Sequence, residues 1–179
     1  IVGANTRQRA TVPSKGSANG NANKSLVPRS LWLTIQAMFN PSQQDVRRFF
    51  CQVYAKLKQG ALVDPLETLA GEWVALHPEY HLVLSDETSA LTHHFDDSQG
   101  NPFLHLSMHL SISEQCSIDQ PRGVRQAVEL LAARRRDLHQ AHHEAMECLG
   151  RMVWESQRSG RPPDGAAYVE ELQRLATRD

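Results

Sequence analysis

The chain has 179 residues, 40% of them hydrophobic, with 19 basic and 20 acidic side chains and a formal net charge of −1. That is enough apolar material for one core, and no run of 18 apolar residues offers a membrane span. The charge is uneven. Residues 1–37 carry Arg7, Arg9, Lys15, Lys24 and Arg29 and no acid, so the rest is acidic and lacks the basic face that a nucleic-acid partner requires.

The first 30 residues are rich in Gly, Ser, Asn and Ala with no apolar period, a composition that cannot offset the entropy of ordering it. Three origins fit this leader: a protease-cleavable linker around Leu26-Val27-Pro28-Arg29-Ser30, an organellar transit peptide, or translated upstream sequence with Met38 as the natural start. The expected organisation is a flexible, non-native or processed leader over 1–37 and a helical domain over 38–179.

From Met38 onward a polar residue, then proline, then an apolar-periodic run recurs. Asn40-Pro41, Asp64-Pro65, Asn101-Pro102 and Gln120-Pro121 each offer an N-cap and a proline at N1, where the missing N–H costs nothing. His77-Pro78 does the same for a short turn, and Glu67 three residues after Asp64 makes a capping box. Gly60 and Gly160 fall where helices should stop. Between these marks the periodicity predicts helices over about 41–59, 65–76, 78–84, 102–117, 122–158 and 164–177. The 122–158 span contains a candidate break near Arg136-Asp137, and 85–100 reads as a surface loop with Asp86, Asp96, Asp97 and Gly100. No segment alternates apolar and polar residues, so the expected fold is all-α, a single compact helical bundle.

Seven of the nine histidines follow residue 90. His105 and His109 stand four apart on one predicted helix, with rings about 40° apart on one face. On the next long helix His139, His143 and Glu147 follow at i, i+4 and i+8, and His142 lies on the apolar stripe through Val128, Leu131, Leu138, Met146 and Leu149. Traced through that stripe, His139 and His142 are the better inward pair and Glu147 faces solvent or Trp154. Two helices that each carry paired His or Glu can converge on one ion. The candidate ligands are therefore His105, His109, His139, His142, His143, Glu114 and Glu147, a set that suits zinc or iron. Glu114 or Asp119 is a candidate for fixing ring tautomers. The competing account has the same histidines bonding backbone carbonyls and acids across helix contacts. His77 and His81 read as packing and capping residues at a tight corner, and His93-His94 as solvated.

Cys51, Cys116 and Cys148 are far apart and form no C-x-x-C pair, which indicates reduced, structural thiols in a cytosol. There is no phosphate-binding glycine loop and no nucleophile elbow. Trp73, Tyr80, Phe49, Phe50 and Trp154 fall at helical spacing and read as core. No residue is assigned to catalysis.

The motifs from Met38 to about Leu175 carry a family resemblance. Phe39-Asn40-Pro41, His77-Pro78-Glu79-Tyr80-His81, Asn101-Pro102-Phe103-Leu104-His105 through His109, Glu114-Gln115, Asp119-Gln120-Pro121 with Gly123, His142 to Gly150, and Trp154-Glu155-Ser156-Gln157-Arg158 resemble an uncharacterised family of small proteobacterial proteins, domain of unknown function eighteen-forty-one. The resemblance implies a small cytoplasmic bacterial protein and no particular activity. Two functions remain in view: a metal-binding helical bundle, or a non-catalytic interaction or structural module without metal. A homodimer or a protein partner is the expected kind of assembly, with neither membrane nor nucleic acid.

Overall fold

A computed structural model describes residues 43–61, 64–95 and 100–178. The leader over 1–37, Met38, the Asn40-Pro41 cap, and Asp96 and Asp97 lie outside the described residues. Eight α-helices and one 3-10 turn follow in order: α1 (Gln43–Gln59), α2 (Pro65–Leu76), the turn Pro78–Tyr80, α3 (His81–Leu84), α4 (Glu87–Thr92), α5 (Pro102–Ile118), α6 (Val124–Arg135), α7 (Leu138–Ser159) and α8 (Gly165–Thr177). No strand occurs among the described residues.

The caps explain most boundaries. Asp64 Oδ1 accepts hydrogen bonds from Leu66 and Glu67 N–H, and Asn101 Oδ1 from Phe103 and Leu104 N–H; each such cap stabilises its helix by about 1 kcal/mol. Asp64 caps alone, because the Glu67 carboxylate turns away to pair with Lys56. α7 ends at Gly160, whose φ of 64° is the left-handed conformation that closes a helix.

Helix α5 is shared by two cores. Phe103 and Leu106 join Phe50, Val53, Trp73 and Leu84 on one side, while Ile112 joins Val128, Leu149, Tyr168 and Leu172 on the other. α2 therefore packs on α1 and α5, and α7 on α5, α6 and α8.

The candidate break in the 122–158 span is present: Arg136 adopts φ 54° and Asp137 caps α7 by accepting from His139 and Gln140 N–H. Three expectations need correction. Gln120-Pro121 is a cis bond and does not open α6, which starts at Val124 behind Gly123. There Asp119 Oδ1 accepts from Gly123 and Arg125 N–H, so it serves the turn. The 85–100 region contains α4, capped by Asp86 accepting from Ser89 N–H; a single turn and a half carries too short an apolar pattern to read from periodicity. Trp154 is 55% exposed and lies under the Arg158 guanidinium rather than in a core.

Candidate metal centre

α2, α5 and α7 meet at a seam filled by imidazoles. His109 is fully buried on α5, and His105 is half-buried one turn earlier. Asp137 restarts the chain as α7, whose first two turns bring His139 and His143 against the α5 histidines. His77 comes from the corner after α2. Its N–H bonds Val74 O and its carbonyl accepts from Tyr80 N–H, so the backbone is spent on the turn. No capping bond holds the side chain, which swings into the seam.

The Nε2 atoms form a chain of close approaches. His77 lies 2.9 Å from His109 and 2.9 Å from His139, and His105 lies 3.2 Å from His109 and 3.2 Å from His143. The donor atoms of His77, His109, His139 and His143 all fall within 4.8 Å of one another. Each neutral ring nitrogen carries either one N–H or one in-plane lone pair, so it enters one linear hydrogen bond. Along a chain of five such atoms, at most two of the four contacts can be hydrogen bonds at once. The remaining contacts are left without a linear hydrogen bond of their own, unless a cation collects the lone pairs.

Four of the rings, those of His105, His109, His139 and His143, are biased toward the neutral form. Burial, with neighbouring histidines adding to it, pushes His105 down to about 4 and His109 lower still. Burial likewise lowers His139 and His143, helped by His77. Neutral imidazole is the ligating form. His77 Nδ1 faces Glu79 Oε1 at 2.7 Å, so its proton sits there and its Nε2 lone pair points into the cluster. Desolvation works against the Glu79 charge, but the hydrogen bonds from His77 and from its own backbone N–H, with the nearby imidazoles, together outweigh it and hold the carboxyl below its ordinary value.

Aromatic rings wall the cluster. Trp73 stacks on His109 at 4.1 Å and 14° and is itself fixed by its indole N–H donating to Ser113 Oγ at 2.8 Å. Tyr80 stacks on His77 at 5.2 Å and meets the edge of His105 at 5.7 Å. His109 Nδ1 is buried without a hydrogen-bond partner. Its ring plane is therefore set by the indole rather than by an acceptor, at a cost of about 1–3 kcal/mol.

The expected ligands divide accordingly. His109, His139 and His143 belong to the convergent group, and His105 adjoins it. His142 is 3% exposed but lies against Trp73 at 4.3 Å, with Nδ1 unpartnered. Glu114 and Glu147 are outside the group, and Glu147 is exposed. His142 lies inward on the apolar face with Met146 and Leu149, as the stripe predicts, but it packs on Trp73; the α7 rings that reach the convergent group are His139 and His143, to the side of that face. His77 is the residue the sequence reading placed elsewhere. Its one sequence signal was the neighbouring acid Glu79, two residues on. His81 keeps the expected packing and capping part, its Nε2 lying 2.8 Å from Val74 O.

All three cysteines are free thiols. Burial, with nearby acids adding to it, pushes Cys116 and Cys148 up to about 11, so neither offers a thiolate at neutral pH. Among the described residues, no helix is long and apolar enough to cross a membrane.

Comparison with curated proteins and with solved structures finds no match. One family model matches residues 42–174, a span that includes every histidine of the cluster, and the chain belongs to the family described as Domain of unknown function (DUF1841).

Proposed function

We propose that this is a metal-binding helical protein that holds one divalent transition-metal ion on the Nε2 atoms of His77, His109, His139 and His143. The observation that carries the proposal is the set of Nε2 separations, 2.9 to 3.2 Å along a chain of rings that hydrogen bonding cannot satisfy. For a metal–nitrogen bond of about 2.1 Å, adjacent donors lie about 3.0 Å apart at 90° and about 3.4 Å apart at the tetrahedral angle. Among the four ligands, His77–His109 and His77–His139 lie at 2.9 Å, nearer the 90° value, and on these two separations we favour a five- or six-coordinate ion such as iron, cobalt or nickel over four-coordinate zinc. An all-imidazole donor set also discriminates against magnesium and calcium, which take oxygen ligands. Three free thiols suit a reducing compartment, and we place the protein in the cytoplasm of a bacterium.

The test is elemental analysis of tag-free protein purified without chelator or nickel resin, beside the His109→Ala/His139→Ala variant. Close to one equivalent of metal in the parent and none in the variant is expected. Trp73, stacked on His109, gives a second readout: paramagnetic cobalt should quench its fluorescence in the parent and leave Trp73→Phe unquenched. A parent that neither retains metal nor responds to added cobalt would return the rings to a purely structural network.

A further inference from the structure

Four donors do not fill the coordination shell that the spacing calls for. At angles near 90°, an ion with four imidazoles keeps one or two positions for other ligands. Where the nearest such position lies follows from His105. Its Nε2 is 3.2 Å from Nε2 of both His109 and His143, yet it contributes no atom to the convergent group of four. It therefore stands over the edge between two ligands, beside a position adjoining both. That side of the cluster is also the accessible one. His77 and His109 are buried, whereas His105, His139, His143 and Tyr80 are half-buried and Glu79 is exposed.

The chemistry of the incoming ligand is restricted in two ways. Imidazole ligates as the neutral ring, and the nearby carboxylates stay outside the convergent group: Glu79 accepts from His77 Nδ1 and Asp137 caps α7. A bound dication thus keeps its charge and attracts an anion more than a neutral molecule of the same size. Trp73 and Tyr80 pack against the rings on two sides, and His105 narrows the approach, so only a molecule of a few atoms reaches the metal.

Resting on the metal-binding reading, we infer that the centre takes a small exogenous anion at an open coordination position beside His105, and that His105 Nε2 contacts that anion rather than serving as a permanent ligand. The centre is in this respect built like a reactive metal site, which leaves a position open, rather than a structural one, which closes its shell with protein side chains.

The experiment loads the full chain with cobalt(II), records the visible ligand-field bands, and titrates with sodium azide, for the parent and for His105→Ala. Both proteins are first checked by circular dichroism for retained helix. A saturable azide-dependent band shift in the parent, with azide binding weakened about three- to tenfold in His105→Ala, is the expected result. Bands that respond to azide only in His105→Ala would mean that His105 itself fills the position. Bands that respond in neither protein would mean that the shell is closed. Either outcome overturns the inference while leaving metal binding intact. Failure of cobalt to bind the parent at one equivalent removes the metal-binding reading itself, and the inference with it.

Discussion

His77 and His139 stand 62 residues apart in the chain with their Nε2 atoms 2.9 Å apart, and this contact joins the end of α2 directly to the first turn of α7. His77 is 2% exposed and has one ring nitrogen on Glu79 and the other in the cluster, so it is committed on both sides. Replacing His77 by Ala should lower bound metal from about one equivalent to below a tenth, measured by elemental analysis after dialysis. His81→Ala, four residues later, removes a contact to Val74 O and ring packing on Tyr54, both outside the cluster, and should retain the full equivalent. Equal metal content in the two variants would contradict the assignment of His77.

Glu79 tests whether that orientation matters. Its side chain is 55% exposed, so its removal leaves the cores untouched. Outer acids on ligating histidines typically contribute 10–100-fold to metal affinity. Glu79→Ala should therefore weaken metal binding by that factor, while Glu79→Gln, which still accepts from Nδ1–H, should lose less. Competition against a chromogenic chelator gives both constants. No difference among parent, Gln and Ala would show that the His77 tautomer is set by something other than Glu79.

Much of this architecture was legible in advance because its signals are local. Asp64-Pro65 and Asn101-Pro102 mark helix starts by a cap and a proline within two residues, and the His105/His109 pair shares a face by spacing alone. The site was harder, because convergence is tertiary. Nothing near His77 in the sequence states that the corner after α2 lies against α5 and α7. On α7 the apolar stripe marks the buried face, with His142, Met146 and Leu149 on it, and the cluster lies to one side of that face, where His139 and His143 are half-buried. Hence a stripe that turns His142 inward does not pick out the pair His139/His143, although all three are candidates.

The cysteines give a prediction that is independent of any metal. The Cys116 thiol is pushed from 9.0 up to about 11, chiefly by burial, with Glu129 adding to it. A raised value means less thiolate at a given pH, roughly tenfold less for each unit. Alkylation of Cys116 by iodoacetamide at pH 8 should therefore run about a hundredfold slower than for an unperturbed thiol. Its rate should keep climbing with pH toward 11, where an ordinary thiol levels off near 9. Peptide mapping of the native protein follows the site, and a plateau near pH 9 would show that Cys116 is not held as a neutral thiol.

Metal should also stabilise the fold, because its ligands come from three places that are distant in sequence: His77 behind α2, His109 on α5, and His139 with His143 on α7. An ion that binds only the folded chain adds about 2.7 kcal/mol when free metal is a hundred times the dissociation constant. For a domain of this size that corresponds to a rise in melting temperature of roughly 10 °C. Cobalt or nickel added to chelator-treated protein should produce this rise, and magnesium should not, because it does not take imidazole shells. The same addition to His109→Ala/His139→Ala should leave its melting temperature unchanged. A rise of equal size in parent and variant would place the stabilising ion elsewhere on the molecule. The variant comparison matters because nine histidines offer other weak sites, including His93 and His94, which are exposed. Only binding at the seam ties α2 to α5 and α7.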